Sequence, residues 1–210
     1  MEQDERIRHR RRGGLQVVEV RHRSVAWHLE ALRDPATPSA GFRRHLHDMS
    51  RFLVYEATAS LWPVTTTGSE RGALVVPVLR AGLGLLEGAL ELVPDAEVGF
   101  LGLRRDEVTL EPSLYWSRLP ADLSGRPVLV LDPMLATGGT LAAVVGILAE
   151  RGATGIVAVT VLTTPEGLAR VEKEASRLSV VCASVDERLD RHGFIVPGMG
   201  DAGDRLFGPS

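Results

Sequence analysis

The 210-residue chain has a single cysteine, Cys182, so no intramolecular disulfide can form. It lies in the apolar run Val180–Val181–Cys182–Ala183, which predicts a buried, unreactive thiol and a reducing compartment, the cytoplasm. An excess of either charge is also missing. The 24 basic and 27 acidic side chains leave a formal net charge of −3, which excludes the strongly cationic domain of an obligate nucleic-acid binder. With 44% hydrophobic residues, the composition is not that of a disordered chain. Apolar runs are short. The longest kind, such as residues 141–149, falls well below a membrane span, so no membrane partner is expected. Residues 1–12 alternate acids with arginines and have no apolar stretch of the kind a signal peptide needs. Lysine is nearly absent: Lys173 stands alone and every other basic residue is arginine. That bias fits GC-rich coding, and it equally fits a use for planar, phosphate-binding forks.

The length suits a single domain spanning residues 1–210. A chain of this size buries about 70% of the area its unfolded form exposes, enough to fold without a staple. Residues 1–14, with Arg10–Arg11–Arg12 and Gly13–Gly14, predict a frayed, solvated arm. A short strand over residues 15–20 and a helix over 25–32 follow. Phe42, Leu46, Met49, Leu53 and Ala57 then share one helical face, ended by Trp62 and Pro63. Residues 65–72 predict a loop. From residue 73 onward, Val- and Leu-rich strands alternate with helices. Strands are predicted at 73–79, 98–103, 127–131, 155–162 and 178–183, with helices at 82–93, 141–151 and 165–176. The fold class is therefore α/β: a mostly parallel sheet with helices on both faces. Ligands of such sheets bind at the carboxyl ends of the strands.

The strongest local signal is an apolar strand that ends in Asp132 and runs through Pro133, Met134, Leu135, Ala136, Thr137, Gly138 and Gly139 to Thr140. Backbone N–H groups at a helix start form a nest for an anion, reinforced by the helix dipole. Glycines admit a phosphate close to the backbone, the hydroxyls of Thr137 and Thr140 can donate to it, and Asp132 can accept from sugar hydroxyls. The spacing is not that of a Walker loop, and no lysine follows the glycines. A second strand end carries Arg80–Ala81–Gly82–Leu83–Gly84, where an arginine fork suits a phosphate. Arg104 and Arg105 close a third strand at the same edge. Residues 193–205 alternate glycines with acids behind Phe194, Ile195 and Val196, which predicts an ordered loop presenting backbone groups to a small flat ligand.

Taken together these motifs resemble the uracil phosphoribosyltransferase family. The matching residues are Arg80–Ala81–Gly82–Leu83–Gly84, Asp132 to Gly139, Pro165–Glu166–Gly167, and Pro197–Gly198–Met199–Gly200–Asp201–Ala202–Gly203–Asp204. Tyr55–Glu56–Ala57–Thr58 is similar too, and the likeness is collinear from about Val17 to the end. It implies a phosphoribosyltransferase-like fold with a base-binding segment over residues 184–210. The reaction it implies moves the phosphoribosyl group of 5-phosphoribosyl 1-diphosphate to uracil, giving uridine monophosphate and diphosphate for pyrimidine salvage. In that scheme residues 136–140 cradle the 5-phosphate, Asp132 meets the ribose, and Arg80 and Arg105 bind the diphosphate with Mg2+ shielding its charge. Backbone groups of Ile195, Gly200 and Ala202 read the uracil edge, and Asp201 lies between donor and base, where it either takes the base proton or, the favoured role, orders magnesium-bound water. The metal is held mainly by diphosphate and water rather than by a protein cluster, since the six histidines are scattered and read as surface or interface residues.

The sequence departs from that family's pattern at several places. Residues 58–73 are shorter than in the usual member, where a β-hairpin arm supports subunit contacts, although a homo-oligomer, a dimer, is still what the family implies. Arg104 and Phe194 each stand where tyrosine is common, and Met199 where leucine is. Guanosine triphosphate activates part of the family and is carried as a possible effector. Two other functions are compatible with the motifs: a phosphoribosyltransferase for a different pyrimidine or analogue, and a nucleotide-sensing regulator that binds RNA.

Overall fold

In the computed structural model, residues 6–61, 72–105, 112–175 and 178–209 are described. The first half runs β1 (Ile7–Arg12), β2 (Leu15–Val20), α1 (Arg23–Arg33), α2 (Ser39–Leu61), β3 (Leu74–Leu79), α3 (Leu83–Leu92), β4 (Glu97–Val98), β5 (Phe100–Arg105) and β6 (Pro112–Arg118). The second half runs β7 (Pro127–Leu131), β8 (Met134–Leu135), α4 (Gly139–Ala149), β9 (Gly155–Thr163), α5 (Pro165–Glu174), β10 (Leu178–Val185), β11 (Arg188–Leu189), β12 (Ile195–Val196) and α6 (Ala202–Phe207).

One sheet carries the order β1-β2-β10-β9-β7-β3-β5-β6, with β4 beside β3 and β8 beside β9. Every pairing within it is parallel except β1–β2 and β5–β6, at the two edges. The central strands are apolar at nearly every position because both faces are covered. In β7, Leu129 and Leu131 face one core with Val157, Val159 and Val181. Val128 and Val130 face the other with Ile156, Ala158 and Val180. The first core is closed by side chains of α1, α2, α3 and α6, such as Leu32, Phe42, Leu85 and Leu206. The second is closed by α4 and α5, through Val144, Leu148, Leu168 and Val171. This is the expected α/β sheet with helices on both faces. Cys182 is buried as expected, and burial pushes its thiol far above the ordinary range.

Three expectations are corrected. The arm is not frayed over residues 7–12. These form β1, antiparallel to β2 from Ile7↔Val20 to Arg12↔Leu15. Arg10 of β1 donates to the buried Glu19 carboxylate at 3.1 Å, and Arg21 reaches the same group at 3.2 Å. An acid facing inward on β2 thus gives the arginine-rich strand a reason to pair. A second unexpected strand is β6, whose Leu114, Tyr115 and Trp116 remain exposed. The loop expected at 65–72 lies, apart from Gly72, outside the described residues, as do residues 1–5 and much of the shortened 58–73 stretch.

The third correction concerns the histidines. His28 of α1 is buried, with its Nδ1 3.1 Å from Nδ1 of His45 on α2. The Trp27 ring packs edge-on against both, at 4.8 and 5.1 Å. Burial holds the His28 imidazole below its ordinary pKa. The neighbouring Asp48 carboxylate works in the opposite direction, and His45 adds to the lowering. The unfolded chain therefore binds this proton more readily than the folded one. The resulting stability is complete above about pH 6.5, the ordinary histidine value, and is lost as pH falls below it. Thermal midpoints measured from pH 7.5 to 5 should drop, and His28→Gln should make that drop smaller.

Candidate active site at the carboxyl edge of the sheet

A cavity of about 590 Å³ opens at the carboxyl ends of β3, β5 and β7. One wall starts where β7 ends. Asp132 lies on the lining, and its Oδ1 accepts from Met134 N at 3.3 Å. The carbonyl of Pro133 accepts from Val161 N and Leu162 N of β9 at 3.0 and 3.1 Å. The chain thus rejoins the sheet as β8, with Met134↔Leu162 and Leu135↔Thr163. It enters α4 through Gly138, whose φ of +82° suits only glycine without strain. Met134, Ala136 and Thr140 line the cavity with Asp132. Pro133, Leu135, Gly138 and Gly139 are buried behind them, the Leu135 side chain within the second core. Thr137 is half-buried in the same loop. The backbone N–H groups at the start of α4 give this wall a positive end.

This loop is braced from behind by the start of α5. Thr164 Oγ1 donates to the Ala136 carbonyl at 2.7 Å and accepts from Gly167 N at 2.9 Å, with Thr164 fully buried. Thr164 caps the helix and Pro165 occupies its first turn, the usual residue types for those places. A Cβ on Gly138 would stand 2.6 Å from the Gly167 carbonyl. One on Gly167 would stand 2.9 Å from the Leu135 carbonyl and overlap that of Ala136.

Arg80 follows β3 and lines the cavity. Its Nη2 donates to Asp204 Oδ1 at 3.1 Å, and both side chains are about two-fifths exposed. Gly82 packs its backbone against Val78 and Leu131, leaving no room for a Cβ. Arg105 closes β5, but its side chain lies outside the described residues. Arg104 is exposed, and its carbonyl accepts from Ser113 Oγ across the hairpin; its neighbour Leu103 is the residue on the cavity lining.

The opposite wall comes from the last twenty residues. Asp190 shapes a turn in which its carboxylate accepts from His192 N at 2.8 Å and Phe194 N at 2.9 Å. The Phe194 amide, with lesser help from the His192 amide and the His192 and Arg191 charges, holds that carboxyl below its ordinary pKa against desolvation. The turn sets His192, Gly193 and Phe194 on the lining ahead of Ile195. After β12, paired with β11, the chain passes a cis Val196–Pro197 bond and two positive-φ glycines, Gly198 and Gly200. Asp201 then caps α6, its Oδ1 accepting from Asp204 N at 2.9 Å. Ile195, Gly200, Asp201 and Ala202 all line the cavity. Arg205 anchors the segment, donating to the carbonyls of Leu32, Met199 (3.0 Å) and Asp34 (2.7 Å) with its guanidinium 4.2 Å above the Phe42 ring.

The two glycine-bearing motifs, 124 residues apart at Arg80 and Asp204, thus face one another across a single cavity. Sequence reasoning missed Thr164, and it placed Asp204 and Arg205 in the glycine-rich segment without assigning either a role. Thr164 carried a usable signal, a threonine directly before a proline at a helix start. No comparable signal marks Arg205.

A mostly parallel sheet with a helix N-terminus and a glycine-rich loop facing each other across one cavity has the form of a phosphoribosyltransferase. The sequence model of the family described as Uracil phosphoribosyltransferase matches residues 19–209, and the chain belongs to that family. It is 52% identical over 202 residues to the uracil phosphoribosyltransferase of Kineococcus radiotolerans, covering 89% of this chain and 96% of that protein. The Streptomyces coelicolor uracil phosphoribosyltransferase is 52% identical over 208 residues, 92% and 98% of the two chains. A solved structure of an Aquifex aeolicus protein superposes with a TM-score of 0.85 at 40% identity, covering 92% and 99%.

The brace behind the loop can be tested directly. Gly167→Ala should lower unfolding free energy by about 1–3 kcal/mol through overpacking, read from urea denaturation. Thr164→Val should cost a similar amount, about 1–3 kcal/mol, because it strands a buried carbonyl and a buried N–H.

Proposed function

We propose that the protein transfers the phosphoribosyl group of 5-phosphoribosyl 1-diphosphate to uracil, giving uridine monophosphate and diphosphate. The observation that carries this reading is the shared cavity, anion nest on one side and glycine-rich backbone on the other, in a chain about half identical to proteins of that name. Neither the reading with another pyrimidine nor that of an RNA-binding regulator has a comparable support.

In this reading Ala136 and Thr140, with the backbone of Thr137, Gly138 and Gly139, take the 5-phosphate. Asp132 accepts from the ribose hydroxyls. Arg80 and Arg105 bind the diphosphate, so Arg80 exchanges Asp204 for a more highly charged partner. Main-chain groups of Ile195, Gly200 and Ala202 read the uracil edge. As the bond from the anomeric carbon to diphosphate breaks, the sugar gains oxocarbenium character, and the uracil N1 forms the new bond while its proton leaves to solvent water or the departing diphosphate. The protein's share is to hold base and sugar in line and to stabilise the departing charge, and no covalent nucleophile is needed.

Among the described residues no group of three or more His, Cys, Asp or Glu side chains could hold a metal. Two carboxylates, Asp132 and Asp201, do lie on the cavity lining. That pair fits Mg2+ carried by the diphosphate and water, with Asp201 ordering a water. When bound, the ion supplies neutralising charge to the leaving group. The exposed Leu114, Tyr115 and Trp116 of β6 support a homo-oligomer, a dimer in the simplest case. A GTP effector rests on the family alone. Among the described residues no helix is long and apolar enough to cross a membrane, in keeping with a cytoplasmic enzyme.

Incubation with donor, Mg2+ and a panel of pyrimidines should give uridine monophosphate from uracil by mass spectrometry. Absence of that product from well-folded protein removes the proposal, and preference for another base redirects it. Arg80→Ala should raise the KM for the donor by about tenfold or more, the weight of a charged hydrogen-bonding pair. Its thermal midpoint should stay within about 2 °C of the parent, as expected for an exposed ion pair.

A further inference from the structure

Behind the acceptor wall lies a buried ion pair that does not reach the cavity. Asp186, just past β10, is 4% exposed. Its Oδ1 accepts from Arg33 Nη2 at 2.6 Å and Ser184 Oγ at 2.8 Å. Its Oδ2 accepts from Arg33 Nη1 at 2.8 Å and from Gly198 N at 2.9 Å. Burial pushes the acid upward, but the hydrogen bonds from Arg33, Gly198 and Ser184 outweigh it and hold the carboxyl below its ordinary range. Arg33 Nη1 also donates to the Gly198 carbonyl at 2.8 Å. Asp186 therefore takes the N–H of Gly198 while Arg33 serves its C=O, and one ion pair fixes both ends of a single residue.

Gly198 is the pivot of the acceptor wall. Its φ is +67°, and its Cα packs so closely on the Ile195 carbonyl that a Cβ would overlap it. Whatever holds Gly198 holds the Ile195 main chain, and Gly200 follows two residues on. The donor loop has a separate brace, through Thr164 and Gly167.

We propose that the Arg33–Asp186 pair is a positioning device for the acceptor: without touching the base, it sets the Ile195 and Gly200 backbone groups that recognise the pyrimidine edge. This rests on the reading that those backbone groups bind uracil. It needs the arginine fork, since two parallel N–H groups grip the carboxylate while a third contact goes to Gly198, a geometry lysine cannot supply.

The test is steady-state kinetics with both substrates varied. Arg33→Lys should raise the KM for uracil by roughly tenfold, and leave the KM for the donor within about twofold, because only the acceptor wall loses its alignment. The preference in kcat/KM for uracil over cytosine should fall with it. Asp186→Asn, nearly isosteric, should show the same split and serves if Arg33→Lys does not fold. An unmutated protein that uses no uracil would overturn the parent reading. If uracil is used but the variants raise both KM values alike, or change only the thermal midpoint, the positioning role is overturned. Failure of both variants to fold would overturn it as well, by making the pair a requirement of the fold.

Discussion

Main chain packed directly on main chain is the constraint on which the carboxyl edge depends. The turn into α5 lies against the turn into α4 so closely that Gly138 and Gly167 have no room for a Cβ beside each other's segment. Thr164 ties the two turns by hydrogen bonds at both of its hydroxyl's sides. That contact fixes where α4 begins, and so where its backbone N–H groups point. The sheet supplies the platform, since β8 keeps the chain in register with β9 until the last possible residue. Under the proposed function, a phosphate at this spot would meet groups that are already aimed, which keeps the ordering cost of binding low.

The arginine bias takes on a different meaning in the folded molecule. Several arginines act as forks between carbonyls rather than as surface charge. Arg126 is buried and spans the Gly72 and Ala73 carbonyls and Glu97. Arg43 reaches the Leu206 carbonyl, and Arg205 joins the end of α1 to Met199. Each joins segments distant in sequence, a task suited to a planar group with several fixed donors. Codon composition does not account for these positions, and the phosphate-binding role proposed for Arg80 and Arg105 does not extend to them. The remaining use of arginine, holding irregular backbone in place, was not anticipated from composition.

What the sequence revealed follows what the physics makes periodic. Strands β3, β7, β9 and β10 are buried on both faces, so their Val and Leu runs could be read directly. The same holds for the apolar stripe of α2 from Phe42 to Ala57. Strand β1 was hidden because Arg8, His9, Arg10 and Arg11 give no apolar alternation, and Arg10 meets its carboxylate partner, Glu19, only once the hairpin with β2 forms. Strand β6 was hidden because it is an exposed edge with no core face to enforce a pattern. At the cavity, Asp132, Ala136, Thr140 and Arg80 were legible at strand and helix junctions, and Met134, Ile195, Gly200, Asp201 and Ala202 through the family likeness of their segments; all of them line it. Asp186, Arg33 and Arg205 were not. Their roles are defined by partners 153 and 173 residues away, and no local pattern encodes such a separation.

The two walls of the cavity also differ in how far the chain must travel to close them. The donor loop is completed by a contact spanning 28 residues, Thr164 to Ala136. The acceptor wall waits on one spanning 165, Arg33 to Gly198. Loop-closure entropy alone sets the longer span at a disadvantage of about 1.6 kcal/mol. During synthesis the gap is wider still, since Gly198 emerges long after β7, β9 and α5 can assemble. The loop leading into α4 is therefore braced by the easier closure, and the wall around Gly198 by the harder one.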